Sequence, residues 1–199
     1  MKRTATTLLM LFSGTLAYCQ SALPEVVPTV TVCLFAGSAA GPAVIRAQML
    51  ASRMFAHIGI AVNWQSESRT CPAQGTRVEL SATTPEILAP GAFAYALPYE
   101  GTRVEVFYDR IHAEFGTLTS VVLAHVLVHE ITHILQGVAR HSARGVMKPK
   151  WDNADFARMM NKPLPFAPED VQLIYLGLAA RRHVRLVAMT KDQNVATIR

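Results

Sequence analysis

The residues of this chain that could do chemistry are concentrated between positions 123 and 147. The centre of that stretch is the pentapeptide HEITH, from His129 to His133, inside an apolar segment with helical spacing. Residues four apart lie on one face of a helix, so His129 and His133 could bind a single ion, with Glu130 beside it. Zinc accepts neutral imidazoles in tetrahedral sites and keeps one position open in catalytic ones. Two histidines leave such a site incomplete, so a third protein ligand is required.

Gly137 and His141 offer a way to complete the site. Gly137 lies four residues after His133, where glycine favours the left-handed conformation that ends a helix. The chain can then turn back, and His141, four residues later, could reach the open side of the ion. The acidic alternatives for the third ligand, further along the chain, are Asp152, Asp155 and Glu169.

The complete pattern, H-E-x-x-H-x-x-x-G-x-x-x-H-S-x-x-G-x-M, runs from His129 to Met147. It resembles the metzincin clan of zinc peptidases, whose signature is H-E-x-x-H-x-x-G-x-x-H followed by a methionine turn. Here the glycine and the third histidine come later and the methionine earlier, a variant similar to a group of small secreted bacterial zincin-like proteins. The resemblance implies that three histidines bind one Zn²⁺ ion, namely His129, His133 and His141. It also implies that Glu130 is the general base and that Met147 forms the floor of the site.

Peptide-bond hydrolysis is the reaction that such a site would support. Zinc lowers the pKa of a bound water and polarises a carbonyl oxygen. Glu130 would accept the proton of that water and later pass it to the leaving amine. We therefore expect a zinc metalloendopeptidase that acts on a protein or peptide substrate. The alternative is a non-catalytic zinc-binding exported protein, against which Glu130 argues because a structural site does not need it.

Several residues near the motif have roles that the sequence leaves open. His125, one turn before His129, either supports the site or faces solvent. Ser142 either orients His141 or is a turn residue. The candidates for stabilising the oxyanion are Tyr95, Tyr99, Tyr108 and His112.

The elements that must position this site follow from hydrophobic spacing. The pattern predicts strands over 26–35, 60–65, 76–82, 91–98 and 102–109, and helices over 43–58, 151–160 and 168–182. In chain order, the strand over 26–35, the helix over 43–58 and the strand over 60–65 form a β-α-β unit, which predicts a parallel strand pair. Glu169 and Asp170 fall in the first turn of the last helix, where acidic residues are favoured. The fold class is α+β, and by the resemblance zincin-like: a mixed twisted sheet with a backing helix, an active-site helix and a C-terminal helix.

Residues 91–98 are the strand that we expect at the antiparallel edge of this sheet. In zincins such an edge borders the cleft and pairs with an extended substrate. The physical basis is β-augmentation, in which backbone groups bind backbone and pockets select side chains. The resemblance thus implies that a peptide binds here as an additional strand.

The first nineteen residues have the features of a signal peptide. Lys2 and Arg3 precede an apolar run that is too short and interrupted to span a bilayer. The end of the segment, Ala17-Tyr18-Cys19, resembles a signal peptidase site, which predicts cleavage after Cys19. A lipidated Cys19 is the alternative, and the bulky Tyr18 argues against it. We therefore expect one catalytic domain over residues 20–199, secreted or periplasmic, with no stable membrane insertion.

Charge and cysteine content limit the remaining possibilities. The formal net charge of +5 becomes +3 without Lys2 and Arg3, which is too mild to indicate nucleic-acid binding. The basic run over 181–185 is interpreted as a solvated helix end. Cys33 and Cys71 remain as an even pair in an exported chain, which predicts a disulfide, with two buried thiols as the alternative.

Overall fold

The computed structural model describes residues 27–39, 41–66, 71–84, 91–96 and 102–196, with side chains up to residue 184. The expected signal peptide, residues 1–19, therefore lies outside the described residues. The strands are β1 (Thr29–Phe35), β2 (Ala61–Ser66), β3 (Thr76–Ser81), β4 (Ala94–Ala96) and β5 (Arg103–Phe107). The helices are α1 (Pro42–Ala56), α2 (Tyr108–Phe115), α3 (Thr119–Gln136), α4 (Asn153–Asn161) and α5 (Pro168–Ala196), with short 3-10 turns at Gly37–Ala39 and Gly116–Leu118.

The strands form one five-stranded mixed sheet in the order β2-β1-β3-β5-β4. β1 pairs in parallel with both β2 and β3, and β3 pairs in parallel with β5. β4 is antiparallel to β5 and lies at the edge, with Tyr95 opposite Glu105. The predicted β-α-β unit is therefore confirmed, as is the antiparallel edge position of the strand expected over 91–98. Only Ala94–Ala96 of that range form β4, and residues 97–98 lie outside the described residues.

The core lies between one face of this sheet and the helices α1 and α3. Alternate residues of the strands, such as Val78 and Val104, are completely buried against these helices. On the opposite face, Glu79 accepts hydrogen bonds from Arg77, at 2.7 Å, and from Arg103, at 2.9 Å. This alternation, apolar inside and charged outside, is what a sheet covered by helices on one face requires.

Cys33, in the middle of β1, forms a disulfide with Cys71. Cys33 is completely buried in the sheet, whereas Cys71 precedes β3 by a few residues. The bond therefore fastens the residues before β3 to β1, a strand in the interior of the sheet. The predicted disulfide is confirmed.

Helix α3 runs through the core and carries the HEITH pentapeptide. By length and composition Tyr108–Gln136 could cross a membrane, yet 83% of its most apolar window is buried inside the protein. A core position thus accounts for its apolar character. α3 ends at Gly137, whose φ of 70° and ψ of 19° are left-handed, as predicted.

Two predictions of secondary structure were wrong. Tyr108 and Asp109 were expected at the end of a strand, but they begin α2. Asp109 is fixed there by Thr84, whose backbone N–H and hydroxyl both donate to its carboxylate. The last helix was expected to end in solvent near Arg182, but α5 continues to Ala196. Arg181 is partly buried and donates to the Ile134 carbonyl oxygen in the last turn of α3, so it binds protein rather than water.

Candidate metal centre

Three histidines converge at the C-terminal end of α3. His129 and His133 lie one turn apart on the helix, and their Nε2 atoms are 3.1 Å apart. His141 comes from the loop after Gly137, and its ring centroid is 4.8 Å from that of His133 and 5.2 Å from that of His129. Potential ligand atoms of all three lie within 4.8 Å of one another. The structure therefore brings together the three histidines that the sequence indicated.

Hydrogen bonds on the outer nitrogens determine what the inner nitrogens can do. His129 Nδ1 lies 2.8 Å from the Val146 carbonyl oxygen, and His133 Nδ1 lies 3.2 Å from that of Val138. A carbonyl oxygen only accepts, so each Nδ1 carries the proton and donates it. Each neutral ring then presents an unprotonated Nε2, and these two lone pairs face each other across the site.

Burial keeps the imidazoles in the neutral form that binds metals. It lowers the pKa of His129 to about 3, and it also lowers the pKa of His133 and of His141. The negative charge of Asp170 opposes this effect at His133 and His141, without reversing it. No proton therefore competes strongly for these nitrogens near neutral pH.

The turn that follows His141 is held by backbone hydrogen bonds and contacts the triad at His129. The Ser142 backbone N–H donates to the Met147 carbonyl oxygen at 2.8 Å, and Met147 is completely buried. Gly145 has a φ of 77°, and a Cβ atom there would lie 2.2 Å from the Pro165 carbonyl oxygen. The next residue, Val146, donates its backbone N–H to that same oxygen at 2.9 Å. Glycine is thus required at 145, and the turn carries the carbonyl that holds His129.

Glu130 lies beside the triad in the wall of a cavity of about 580 Å³. It is only 8% exposed, and its carboxylate makes no hydrogen bond within the described part of the chain. Burial raises its pKa to about 8. A divalent cation at the histidines would favour the ionised carboxylate and lower this pKa.

The cavity extends from the histidines along the edge strand β4. The three β4 residues line it, as do Val126, Trp151 and Phe156, so its wall is mostly apolar. Tyr95 also donates its hydroxyl to Glu105 at 2.7 Å. Of the other expected oxyanion candidates, Tyr108 and His112 stack on each other away from the cavity lining, and Tyr99 lies outside the described residues.

The acidic alternatives for the third ligand lie elsewhere. Asp152 and Asp155 form the capping box at the start of α4. Both also bind the Lys148 ammonium group, Asp152 at 2.8 Å. Glu169 is exposed in the first turn of α5. None of these carboxylates belongs to the group of ligand atoms at the triad.

His125 belongs to the core and not to the triad. Its Nδ1 donates to the Val121 carbonyl oxygen at 2.7 Å, and its Nε2 accepts from the Leu164 backbone N–H at 3.0 Å. Both ring nitrogens are therefore satisfied, and burial lowers the pKa of His125. This residue fastens the segment that precedes α5 to α3.

Sequence reasoning missed the role of Asp170. It is completely buried, and its Oδ1 accepts from the Ser142 hydroxyl at 2.6 Å and from Arg140 at 3.2 Å. Its Oδ2 accepts from the Ala167 backbone N–H at 3.3 Å. The position in the first turn of a helix could have predicted this last bond. No local pattern indicates the bonds to Arg140 and Ser142, which are far away in the sequence.

Comparison with known proteins supports the fold. No protein-family model and no curated protein matches this chain. The crystal structure of archaemetzincin from Methanopyrus kandleri matches it with a TM-score of 0.56 and 16% identity, over 79% of this chain and 99% of that chain. Archaemetzincin from Archaeoglobus fulgidus, complexed with malonate, has a TM-score of 0.43 and 16% identity, over 73% of this chain and 99% of that chain. The first likeness confirms the expected zincin-like fold class.

Proposed function

We propose that this chain is a zinc-dependent metallopeptidase. The observation that carries the proposal is the pair of unprotonated Nε2 atoms of His129 and His133, 3.1 Å apart. Neither atom can donate a hydrogen bond to the other, so their lone pairs repel unless a cation lies against both. His141 offers a third nitrogen on the same side. Three imidazoles with a fourth position open are the donor set of catalytic zinc sites rather than closed structural ones.

The chain provides the proton transfers that hydrolysis needs. Zinc bound by these histidines would polarise a peptide carbonyl and acidify a water molecule. Glu130 can accept the proton of the attacking water and return it to the leaving amine nitrogen. A bound cation would favour the ionised carboxylate that the first step needs, and so would oppose the raised pKa that burial gives Glu130 in the metal-free protein.

The edge strand β4 suggests how the substrate binds. It lies at the end of the sheet, with β5 on one side, and its residues line the cavity that reaches the histidines. An extended peptide could pair with the backbone groups of β4 on the side away from β5, placing an internal peptide bond over the triad. An endopeptidase that binds its substrate as an added strand fits this arrangement best.

Export is a further part of the proposal. A signal peptide over residues 1–19 would place the chain outside the cytoplasm or in the periplasm. The disulfide between Cys33 and Cys71 supports this location, because such bonds persist in oxidising compartments. The proposed mature protein is a secreted or periplasmic enzyme with one Zn²⁺ ion.

The test is Glu130→Gln, which keeps the shape of the side chain and removes the base. We expect peptide or casein cleavage to fall about 10²- to 10⁴-fold while zinc content stays unchanged. Glu79→Gln, on the opposite face of the sheet, is the matched control and should cleave like the wild type. A wild-type protein that holds zinc yet cleaves nothing would refute the peptidase and favour the alternative, a non-catalytic zinc-binding protein.

A further inference from the structure

Asp170 is a buried charge at the place where α5 begins beside the end of α3. Its side chain is 0% exposed. A buried carboxylate is costly unless hydrogen bonds replace its water. Both oxygens of Asp170 are satisfied by protein donors, and the donors come from two different segments of the chain.

The first segment is the loop that carries His141. Arg140 and Ser142, the residues directly before and after His141, both donate to Oδ1 of Asp170. The bond from the Ser142 hydroxyl is 2.6 Å long, as expected of a charge-assisted bond. Residues 139–142 have no regular secondary structure, and His141 itself is exposed. Packing therefore does little to hold His141, whereas the two residues around it are fixed to one carboxylate.

The second segment precedes α5 and supports the other side of the triad. Asp170 accepts from the Ala167 backbone N–H, so it orders the end of this segment. Two residues earlier, the Pro165 carbonyl oxygen accepts from the Val146 backbone N–H. The Val146 carbonyl in turn holds His129. Asp170 is thus connected by hydrogen-bonded segments to two of the three histidines.

The neighbouring end of α3 is also joined to Asp170. Gln136, in the last turn of α3, donates its side-chain amide to the Asp170 carbonyl oxygen at 3.3 Å. A Cβ atom at Gly177 would lie 1.9 Å from the Leu135 carbonyl oxygen, so the two helices cross in close contact. The carboxylate of Asp170 therefore projects from a backbone held by two helices, and from there it binds the loop that carries His141, which has no regular secondary structure.

We propose that Asp170 is a positioning residue for the metal site, holding His141 through Arg140 and Ser142. This inference rests on the proposed function, because it assumes that the three histidines bind a metal ion. Residues that orient metal-binding side chains without binding the metal themselves typically contribute about 10- to 100-fold to metal affinity. The chemistry of the site therefore depends on a residue outside the HExxH motif and remote from it in sequence.

Asp170→Asn is the first variant to measure, because it keeps the side-chain shape and removes the charge. Zinc affinity is measured by chelator competition, the ligand geometry by the visible absorption of the Co²⁺-loaded protein, and stability by denaturant unfolding without metal. We expect zinc affinity to fall about 10- to 100-fold and the Co²⁺ spectrum to change in intensity. Glu169→Gln, an exposed carboxylate in the same helical turn, is the control, with unchanged affinity and spectrum.

Ser142→Ala keeps the test valid if Asp170→Asn does not fold. This variant leaves the buried charge with Arg140 and Ala167 and removes only the shortest bond to the loop. We expect about a tenfold loss of zinc affinity. The double variant should lose less affinity than the sum of the two single losses, because both changes weaken the same contact between Ser142 and residue 170.

The outcomes separate this inference from the proposed function. A role in stability alone would lower the free energy of unfolding of both variants and leave the zinc affinity and Co²⁺ spectrum of the folded protein unchanged, which would overturn the inference. Absence of zinc binding in the wild type would instead refute the proposed function. Wild-type zinc binding that weakens in Ser142→Ala and Asp170→Asn, but not in Glu169→Gln, supports the positioning role.

Discussion

The sheet half of the molecule and the site half are held together in different ways. In the sheet half, β1, α1, β2 and β3 bury alternating or helically spaced apolar side chains against one another. In the site half, from Gly137 to Asp170, all residues are described: α4 is the only complete helix, α5 begins at Pro168, and there is no strand. That half adds a few side chains to the core, among them Met147 and Leu164, and is otherwise held by hydrogen bonds to backbone oxygens and to one buried carboxylate. Stability is therefore spread over many contacts in the first half, whereas geometry at the site depends on a few contacts in the second.

Helix α3 belongs to both halves. Residues such as Leu127 and Ile131 are completely buried in the core that the sheet half forms. His129 and His133, on the same helix, donate hydrogen bonds to backbone carbonyl oxygens of the site half. The sheet half thus fixes the backbone of two ligands, whereas the orientation of their rings and the position of the third ligand depend on the site half. Changes in the two halves should have separable effects on stability and on metal affinity.

The largest expected effect is a loss of stability from the sheet half. Leu34, 2% exposed in β1, can be changed to Ala, which removes buried methyl groups and leaves a cavity. We expect the free energy of unfolding to fall by about 2–5 kcal/mol. Denaturant unfolding measures this loss, and zinc titration of the folded variant should give the wild-type affinity. A large change in that affinity would contradict the claim that the sheet half affects stability but not metal affinity.

At Gly145 we expect a substitution to lower stability less than Leu34→Ala does, and to lower zinc affinity more. Gly145→Ala places a side chain at positive φ and against the Pro165 carbonyl oxygen, so the turn must shift. The positive φ costs about 1–2 kcal/mol, and the shift moves the carbonyl that holds His129. We expect zinc affinity to fall at least about tenfold.

Gly137→Ala is the matched control for this prediction. Gly137 has a similar φ of 70°, but a Cβ atom there meets nothing within 4 Å. The Gly137→Ala variant should lose only the about 1–2 kcal/mol that an alanine at positive φ costs, and it should keep most of its zinc affinity. Equal zinc affinities in the two variants would show that the contact with Pro165 does not support the site.

The smallest predicted effect is the pH dependence contributed by His125. Burial lowers its pKa in the folded protein below the usual 6.5, so the unfolded chain binds a proton more readily. Stability of the metal-free protein should therefore fall as pH drops below about 6.5, by up to about 1.4 kcal/mol per pH unit for this group. Unfolding curves between pH 7 and pH 5 measure the slope.

His125→Gln should make that slope shallower, by at most one proton, which is the single proton that this ring can bind. Gln retains an acceptor for the Leu164 backbone N–H without the titrating ring. His183→Gln, an exposed position on α5, controls for removing one histidine. An unchanged slope in His125→Gln would mean that His125 does not contribute to acid sensitivity.

The contrast between the halves also explains what the sequence could predict. Hydrophobic periodicity placed β1 and α1 within three residues of their bounds, because packing against a core imposes that periodicity. The same signal failed at Tyr108, where the alternation of the β5 segment continues into the start of α2. Helix α5 was predicted too short because Arg181 looked like a solvated last turn, whereas it binds the carbonyl of Ile134.

The site half could be predicted only where chemistry is local. His129, His133 and Gly137 follow from helical spacing and from the need for a left-handed residue at the helix end. His141 was indicated by its position after the glycine. The roles of His125 and Asp170 depend on partners 39 and 28 residues away, Leu164 and Ser142, and no spacing rule connects such pairs.

Crystals grown with zinc, with data collected on both sides of the zinc absorption edge, test the central claim most directly. The account predicts one anomalous peak per chain, in contact with the Nε2 atoms of His129 and His133 and with a ring nitrogen of His141. A peak held by a carboxylate in place of His141 would contradict the assigned third ligand. No peak at the three histidines, in crystals that contain zinc, would contradict the metal site and with it the proposed hydrolase.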